Sequence, residues 1–291
     1  MNKEIKKKRC IVCKSNKLKI LYSLPKYDNY FLIKCENCTL KFLLCKNFTI
    51  LPNDKYWDEV NKKIYTSFEV IREFRKKHYK YLEIIANWGP PNNKLLDVGC
   101  GNGIFLVHAR EKGFNVTGIE PSKIAVTLCE KQFGIKPIQG YLGVNDNLSK
   151  NFGVLTAWDV IEHVSNPEKF LKICYSYLVE NGILLLETPD ESSFIRKIIN
   201  ILPLRIKPGI YYPSHRYYFT RKAIKLLLKN TGFSNIKIYK EHSIFAKTKM
   251  KYKLYRNFSR KAMIKYDLIF SILKFPLFWN KQVIICTKTS Q

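Results

Sequence analysis

The chain of 291 residues is poor in acid: 23 Asp and Glu stand against 51 Lys and Arg, a formal net charge of +28. It holds only 3 Met and 5 His, so every histidine can be weighed one by one. No window of about 18 residues is free of charge, the length a membrane-crossing helix needs. The best stretch, 262–279, is interrupted by Lys265, Asp267 and Lys274. The start, MNKEIKKKRC, is basic but runs into CIVC instead of an apolar core, so no secretory signal is expected. No internal repeat or low-complexity tract breaks the composition, which at 46% hydrophobic and 14% aromatic is enough to bury a core. The length suits one large α/β domain with a small appendage.

The charge is unevenly spread. Residues 1–94 carry +12, residues 95–190 carry −3, and residues 191–291 carry +19. A basic surface of that size attracts nucleic acid, an anionic membrane face or a phosphorylated substrate. Codon bias toward Lys, Ile, Asn and Tyr produces the same excess, and the sequence leaves both readings open.

Four of the 9 cysteines have a spacing with chemical meaning. Cys10-Ile-Val-Cys13 and Cys35-Glu-Asn-Cys38 are two C-x₂-C pairs. Each pair suits a tight knuckle, and two knuckles complete a tetrahedral four-sulfur site for Zn²⁺. Four thiolates leave no open position, so the metal is expected to be structural. LKILYSL and YFLIK between the pairs read as short strands, the filling of a zinc ribbon. Lys14 and Thr39 stand where such knuckles often have glycine. Cys45, Cys100, Cys129, Cys174 and Cys286 are scattered and read as buried hydrophobes.

Beyond a linker at Leu51-Pro52-Asn53, helical spacing of Phe68, Ile71, Phe74, Tyr79, Leu82 and Ile85 predicts a helix over 66–88, stopped by GPPNN. From Lys94 the pattern alternates: strand KLLDV, helix 104–111, strand FNVTGIE, helix 122–133, strand GVLTAWD, helix 167–178, strand GILLLETP. Such alternation predicts a doubly wound, mostly parallel sheet with helices on both faces. Later come HRYYFT, a helix over 221–229, the strand IKIYK and the closing strand QVIICTK. The expected division is a ribbon at 1–50, a linker and helical cap at 51–93, and a main domain at 94–291 with insertions at 192–213 and 242–280.

The loop LLDVGCGNGIF follows a strand and carries Gly99, Gly101 and Gly103. Glycines there let the backbone approach a ligand without a Cβ in the way. A dinucleotide loop wants its third glycine at position 104, which is Ile, and a phosphate loop wants G-K-[ST], which is absent. Asp97 before the first glycine suits a ligand with a cationic or hydrogen-bond-donating group. S-adenosylmethionine, with an ammonium, a sulfonium and a ribose diol, fits. Glu120 at the tip of the next strand can accept from both ribose hydroxyls.

Taken together, LLDVGCGNGIFL, GIEPS, AWDVIEHVSNPEKFL and GILLLETP, in that order and at those distances, resemble a class I S-adenosylmethionine-dependent methyltransferase. The later PSHRYYFTRKAIKLLLKNTGF and the preceding ribbon are similar to the sugar and small-molecule branch associated with deoxysugar C-methylation and surface polysaccharides. The resemblance covers roughly residues 8–45 and 75–240. It implies a seven-stranded Rossmann-like sheet, with Asp97, Gly99 and Gly101 at the methionine end of the cofactor, Glu120 at the ribose, and Trp158 and Asp159 beside it. Relatives often place an acid for the adenine amine where this chain has Gln139-Gly140-Tyr141; the adenine contact stays open, with Tyr141 a stacking candidate.

Methyl transfer from a sulfonium asks the protein to position the acceptor and to take its proton. His163 in DVIEHV and His215 in PSHRYYFT are the candidates for that work, and each could equally cap or brace its loop. Tyr217 and Tyr218 are expected to pack. His78, His108 and His242 are expected on helix or insertion surfaces, without a role. The expected acceptor is a small anionic molecule, a nucleotide-linked sugar or glycan precursor, with Arg196, Lys197, Arg205, Lys207 and Arg216 available for phosphates. RNA held by the ribbon and the basic C-terminal part, or a lipid or quinone head at a membrane surface, are the other acceptors weighed. Against base-amine methylation, the place after strand four holds WDVIEH and no Asn/Asp-Pro-Pro-aromatic run. A cytoplasmic location is the default, and the spacing says nothing of oligomeric state.

Overall fold

The computed structural model describes residues 8–24, 30–45, 68–144, 147–194, 196–197, 215–241 and 280–289. The linker around residues 51–53, the greater part of the two insertions, Arg205 and Lys207 lie outside the described residues.

The larger sheet has seven strands: β4 (Lys94–Val98), β5 (Asn115–Glu120), β6 (Ile138–Gln139), β7 (Phe152–Trp158), β8 (Leu178–Pro189), β10 (Phe233–Glu241) and β11 (Lys281–Lys288). Their order is β10-β11-β8-β7-β4-β5-β6. Neighbouring strands from β8 to β6 are parallel, and β11 alone runs antiparallel to both its neighbours. The expected α/β class and seven-stranded, mostly parallel sheet are what the chain forms.

Period-two burial explains why these strands assemble. Leu95, Val154, Ile183, Leu185, Val283 and Ile285 share one face with Tyr81, Leu82 and Ile85 of α1 (Phe68–Asn87) and Phe105 and Ala109 of α2 (Ile104–Glu111). Leu96, Val98, Leu155, Ala157, Leu184, Leu186 and Ile284 occupy the other face. There they meet Leu171 and Cys174 of α4 (Pro167–Tyr177) and Ala223, Ile224, Leu227 and Leu228 of α5 (Arg221–Asn230). Both faces are covered, so the central strands read as continuous apolar runs.

Side chains start the helices where the sequence placed them. Ser122 accepts from the Ala125 amide ahead of α3 (Lys123–Phe133). Asn166 accepts from Lys169 with Pro167 in the first turn, and Thr220 accepts from Ala223. Each such cap is worth about 1 kcal/mol.

The smaller sheet is antiparallel, in the order β1 (Leu18–Leu24), β2 (Tyr30–Cys35), β3 (Lys41–Cys45), β9 (Tyr217–Tyr218). Three strands come from the N-terminal cysteine region, and the fourth, β9, lies in the chain between β8 and α5. Cys10, Val12, Cys35, Cys38 and Leu40 share one buried cluster with Phe219, Ala223 and Ile224.

One expectation is corrected. His78 and His108 do not lie on helix surfaces: both are buried, with their Nδ1 atoms 2.9 Å apart between α1 and α2. The reason is spacing. His78 falls in the stripe Phe74, Tyr81, Leu82, Ile85, and His108 lies one turn beyond Ile104 and Phe105, so packing the two helices brings the imidazoles together.

Candidate active site

The carboxyl ends of β4, β5, β7 and β8 converge, the place where open α/β sheets bind ligands. After β4 the chain turns back on β5, the Gly99 amide donating to Ile119 O at 2.8 Å. Gly99 has φ +70°, and a Cβ there would lie 2.7 Å from Val160 Cγ2. A side chain at this position is therefore disfavoured twice, by conformation and by space.

Two carboxylates flank this loop. Asp97 is buried and accepts from Thr156 Oγ1 at 2.7 Å across the β4–β7 pair. Burial pushes it up to about 8; the Thr156 hydroxyl opposes the shift, and the nearby Glu120 charge adds to it. Glu120 is tied at both oxygens, Oε2 accepting from the Gly101 amide and Oε1 from the Ser122 amide, each at 2.9 Å. Those two bonds fix the orientation of the carboxylate at the tip of β5. The Gly140 amide donates to Glu120 O, so the Gln139-Gly140-Tyr141 segment passes beside it, with Tyr141 55% exposed.

At the end of β7, Trp158 lies against His78, Tyr81 and Phe105, with the Lys77 ammonium 5.3 Å from its ring centre. Its Nε1 is buried and without a hydrogen-bond partner among the described residues. Asp159 follows at φ +56°, a left-handed conformation that aspartate tolerates, and its amide donates to Glu187 O. Its carboxylate pairs with Lys281. Burial alone would raise Asp159, but the Lys281 ammonium holds it below the usual carboxylate range. Lys281 also lies 3.6 Å from Glu187, which pairs in turn with Lys77. Asp159 was named from the sequence, but this ion-paired floor of two lysines and two acids was missed, because its members come from α1, the end of β7, β8 and β11 and form no local motif.

Next to it lies a third cluster. Glu162 is fully buried, with Oε2 accepting from Thr188 Oγ1 at 2.9 Å and Oε1 without a partner among the described residues. Burial, reinforced by the charge of Asp159, pushes it up to about 8. The His163 and His215 rings meet edge to face, their centres 4.7 Å apart. Burial, with His163 adding to it, pushes His215 down to about 3, so its imidazole is neutral. Glu162, His163 and His215 can each present one ligand atom within 4.8 Å of the others, a donor set that suits a divalent transition ion. The two histidines singled out in the sequence are thus brought together from 52 positions apart. Glu162 was not singled out, although its signal stood in the same motif, directly before His163.

Cys10, Cys13, Cys35 and Cys38 also converge, all four Sγ within 4.8 Å of one another and none in a disulfide. The Cys10–Cys38 and Cys13–Cys35 sulfur pairs are each 3.5 Å apart. A tetrahedral ion with Zn–S bonds of about 2.3 Å separates sulfurs by about 3.8 Å, so the set fits Zn²⁺ with a small adjustment. Lys14 and Thr39 carry the two knuckle turns at φ +58° and +65°, doing what glycine does elsewhere. Tyr218 is buried and Tyr217 Oη donates to Ser165 O, so both tyrosines pack as expected.

A seven-stranded sheet of this order, with a glycine turn between two acids at the β4 and β5 tips, defines the Rossmann-like class I methyltransferases. The methyltransferase-domain family matches residues 71–238, more than half of the chain, and the chain belongs to that family. It is 31% identical over 132 residues to the ubiquinone biosynthesis O-methyltransferase of Histophilus somni, a match covering 42% of this chain and 55% of that protein. It is 24% identical over 236 residues to the tRNA U34 carboxymethyltransferase of Aliivibrio salmonicida, covering 71% and 69%. Among solved structures, a SAM-dependent methyltransferase from Archaeoglobus fulgidus superposes with a TM-score of 0.54 at 20% identity, covering 80% of this chain and all of that one. The chain spans about half the length of the first of these curated relatives. S-adenosylmethionine-dependent methyl transfer is the chemistry of this family, and no helix among the described residues is long and apolar enough to cross a membrane.

Proposed function

We propose that this protein transfers a methyl group from S-adenosylmethionine to a hydroxyl of a small, anionic acceptor. The observation that carries the reading is the meeting of His163 and His215 beside the unpartnered Glu162 Oε1, at the strand end next to the cofactor acids. Asp97 and the Gly99–Gly101 turn are assigned to the methionine end of the cofactor, Glu120 to the ribose, and Trp158 and Asp159 to the wall between cofactor and acceptor. The fit rests on residues in place: a buried carboxyl for the ammonium, a fixed carboxylate for the diol, and an unmet Nε1–H at Trp158.

S-adenosylmethionine supplies an activated methyl on a good leaving group. The protein's share is alignment and proton removal, worth about 10²–10⁴-fold for a placed base. His163 is assigned the acceptor's proton. His215, kept neutral by burial, is too weak a base for that and serves to orient the His163 ring and the acceptor. Among relatives, the ubiquinone biosynthesis enzyme is an O-methyltransferase, which supports an oxygen acceptor. Arg196, which lies 3.7 Å from Glu191 and whose charge reaches His215, and Arg216, next to His215 in sequence, support an anionic one. A nucleotide-linked sugar satisfies both demands and is the acceptor we favour. The four-cysteine site is assigned a structural Zn²⁺.

The test uses purified protein, methyl-labelled S-adenosylmethionine and a cell extract separated into small anionic metabolites, lipids and nucleic acid. Label in the small anionic fraction, lost in Glu120→Ala, is expected. Label in the lipid fraction moves the acceptor to a quinol-like phenol, and label in RNA overturns the small-molecule reading.

A further inference from the structure

His215 is held from outside the main sheet. Among the described residues, the strand that follows it, β9, joins only the four-stranded sheet. On one side the Arg216 and Tyr217 amides donate to Glu162 O at 2.8 and 3.2 Å. On the other, the Leu43 amide of β3 donates to Arg216 O at 2.9 Å, and Lys41 and Phe42 register with Tyr218 and Tyr217. A two-residue strand is too short to hold its own place without a partner. Its partner β3 begins three residues beyond Cys38.

More bonds tie the cysteine region to the same segment. Thr39 Oγ1, next to Cys38, lies 2.7 Å from Thr220 Oγ1, the cap of α5. Lys41 Nζ meets Glu191 Oε1 at 2.6 Å in a buried ion pair, and the Glu191 amide donates to Phe219 O. Asn230 Nδ2 donates to Val12 O between the first two cysteines. Residues 215–220 are therefore gripped between the loop carrying Glu162 and the first strand after the second knuckle.

We propose that the four-cysteine ribbon is the positioning device for His215. Through the β3–β9 pairing, metal-held knuckle geometry reaches the acceptor side of the methyl-transfer site, and release of the metal frees that histidine from His163. The proposal rests on the reading of His215 as an acceptor-side residue given above. Asp97 and Glu120, at the tips of β4 and β5, take part in none of the ribbon's hydrogen bonds named above. Leu43, Lys41 and Thr39 are thus positioning residues acting through another group.

Leu43→Pro tests it, because it deletes the N–H given to Arg216 O and leaves every cysteine in place. The full chain, with histidine ¹³C-labelled and the His215 signal assigned from His215→Gln, is compared with wild type by NMR. Zinc content and the Kd for S-adenosylhomocysteine are measured on the same samples. Leu43→Pro is expected to keep its zinc and bind S-adenosylhomocysteine within about twofold of wild type, while the His215 signal shifts and broadens, the sign of coupling confined to one site. Cys38→Ser is expected to lose zinc and move the same signal. An unmoved His215 signal in Leu43→Pro, or in a zinc-free Cys38→Ser, overturns the proposal. Should Leu43→Pro fail to bind S-adenosylhomocysteine, Lys41→Met, which removes the ammonium paired with Glu191 and keeps the β3 backbone amide, is judged by the same signal. Failure of the functional reading looks different: His215→Gln would keep full methyl transfer while the Leu43→Pro shift still occurred.

Discussion

Thr156 Oγ1 lies 2.7 Å from Asp97 Oδ1, a hydrogen bond between neighbouring strands that holds a buried carboxyl at the foot of the glycine turn. With burial pushing Asp97 up to about 8, the cofactor-free protein keeps a proton there at pH 7. A ligand ammonium needs the ionised form. Affinity for S-adenosylhomocysteine is therefore expected to rise about tenfold per pH unit from pH 6 toward 8 and then level off. Asp97→Asn should bind more weakly and lose the slope; titration calorimetry at four pH values measures both. A flat profile for the wild type would remove Asp97 from the ammonium.

The same shift has a stability consequence of fixed sign. The folded pKa of Asp97 lies above the unfolded value of about 3.9, so its contribution is complete below that pH. It is lost as pH rises through about 8. Asp97→Asn is expected to be relatively more stable than wild type at pH 9 than at pH 5, read from urea midpoints.

Glu120 orders the turn and is the residue proposed for the ribose. Glu120→Ala removes the acceptor for the Gly101 and Ser122 amides and, on the proposed reading, for the ribose hydroxyls. Cofactor affinity is expected to fall on the order of 100-fold, from the loss of two or three charge-assisted hydrogen bonds. Glu120→Gln, which keeps one acceptor oxygen, should fall less.

His163→Ala is expected to lower kcat on the order of 10²–10³-fold with S-adenosylhomocysteine affinity unchanged, as removal of a proton acceptor from the acceptor side requires. A parallel loss of cofactor binding would reassign His163 to holding the loop after β7.

Lys281→Met leaves the partly exposed Asp159 beside the buried Glu187 without its ammonium, while Lys77 continues to pair with Glu187. Stability is expected to fall by about 1–2 kcal/mol, less than a fully buried pair would cost, because water still reaches the Asp159 carboxylate. Adding Asp159→Asn should recover part of it; an additive double variant would show that the two residues do not interact.

The elements around the site were legible because each has a local cause. KLLDV followed by glycine, the caps Ser122, Asn166 and Thr220, and the acid ending β5 are written within a few residues of where they act. The C-x₂-C pairs were legible for the same reason, since a knuckle is made inside four residues. The burial of His78 against His108 was less so, although its helical spacing was there to be read. The Lys77–Glu187–Lys281–Asp159 group could not be read at all: its members lie up to 204 positions apart and meet only when α1 and β11 close on the sheet.

By itself, then, the sequence determined the strands, the glycine turn, the two acids beside it and the cysteine knuckles, because period, capping and backbone conformation act over a few residues. Only the tertiary structure decided what lies opposite what. It set His163 against His215, put Lys281 under Asp159, and paired β3 of the cysteine region with β9. These contacts depend on strand order and on which faces bury each other, and such choices are settled by the packing of the whole core.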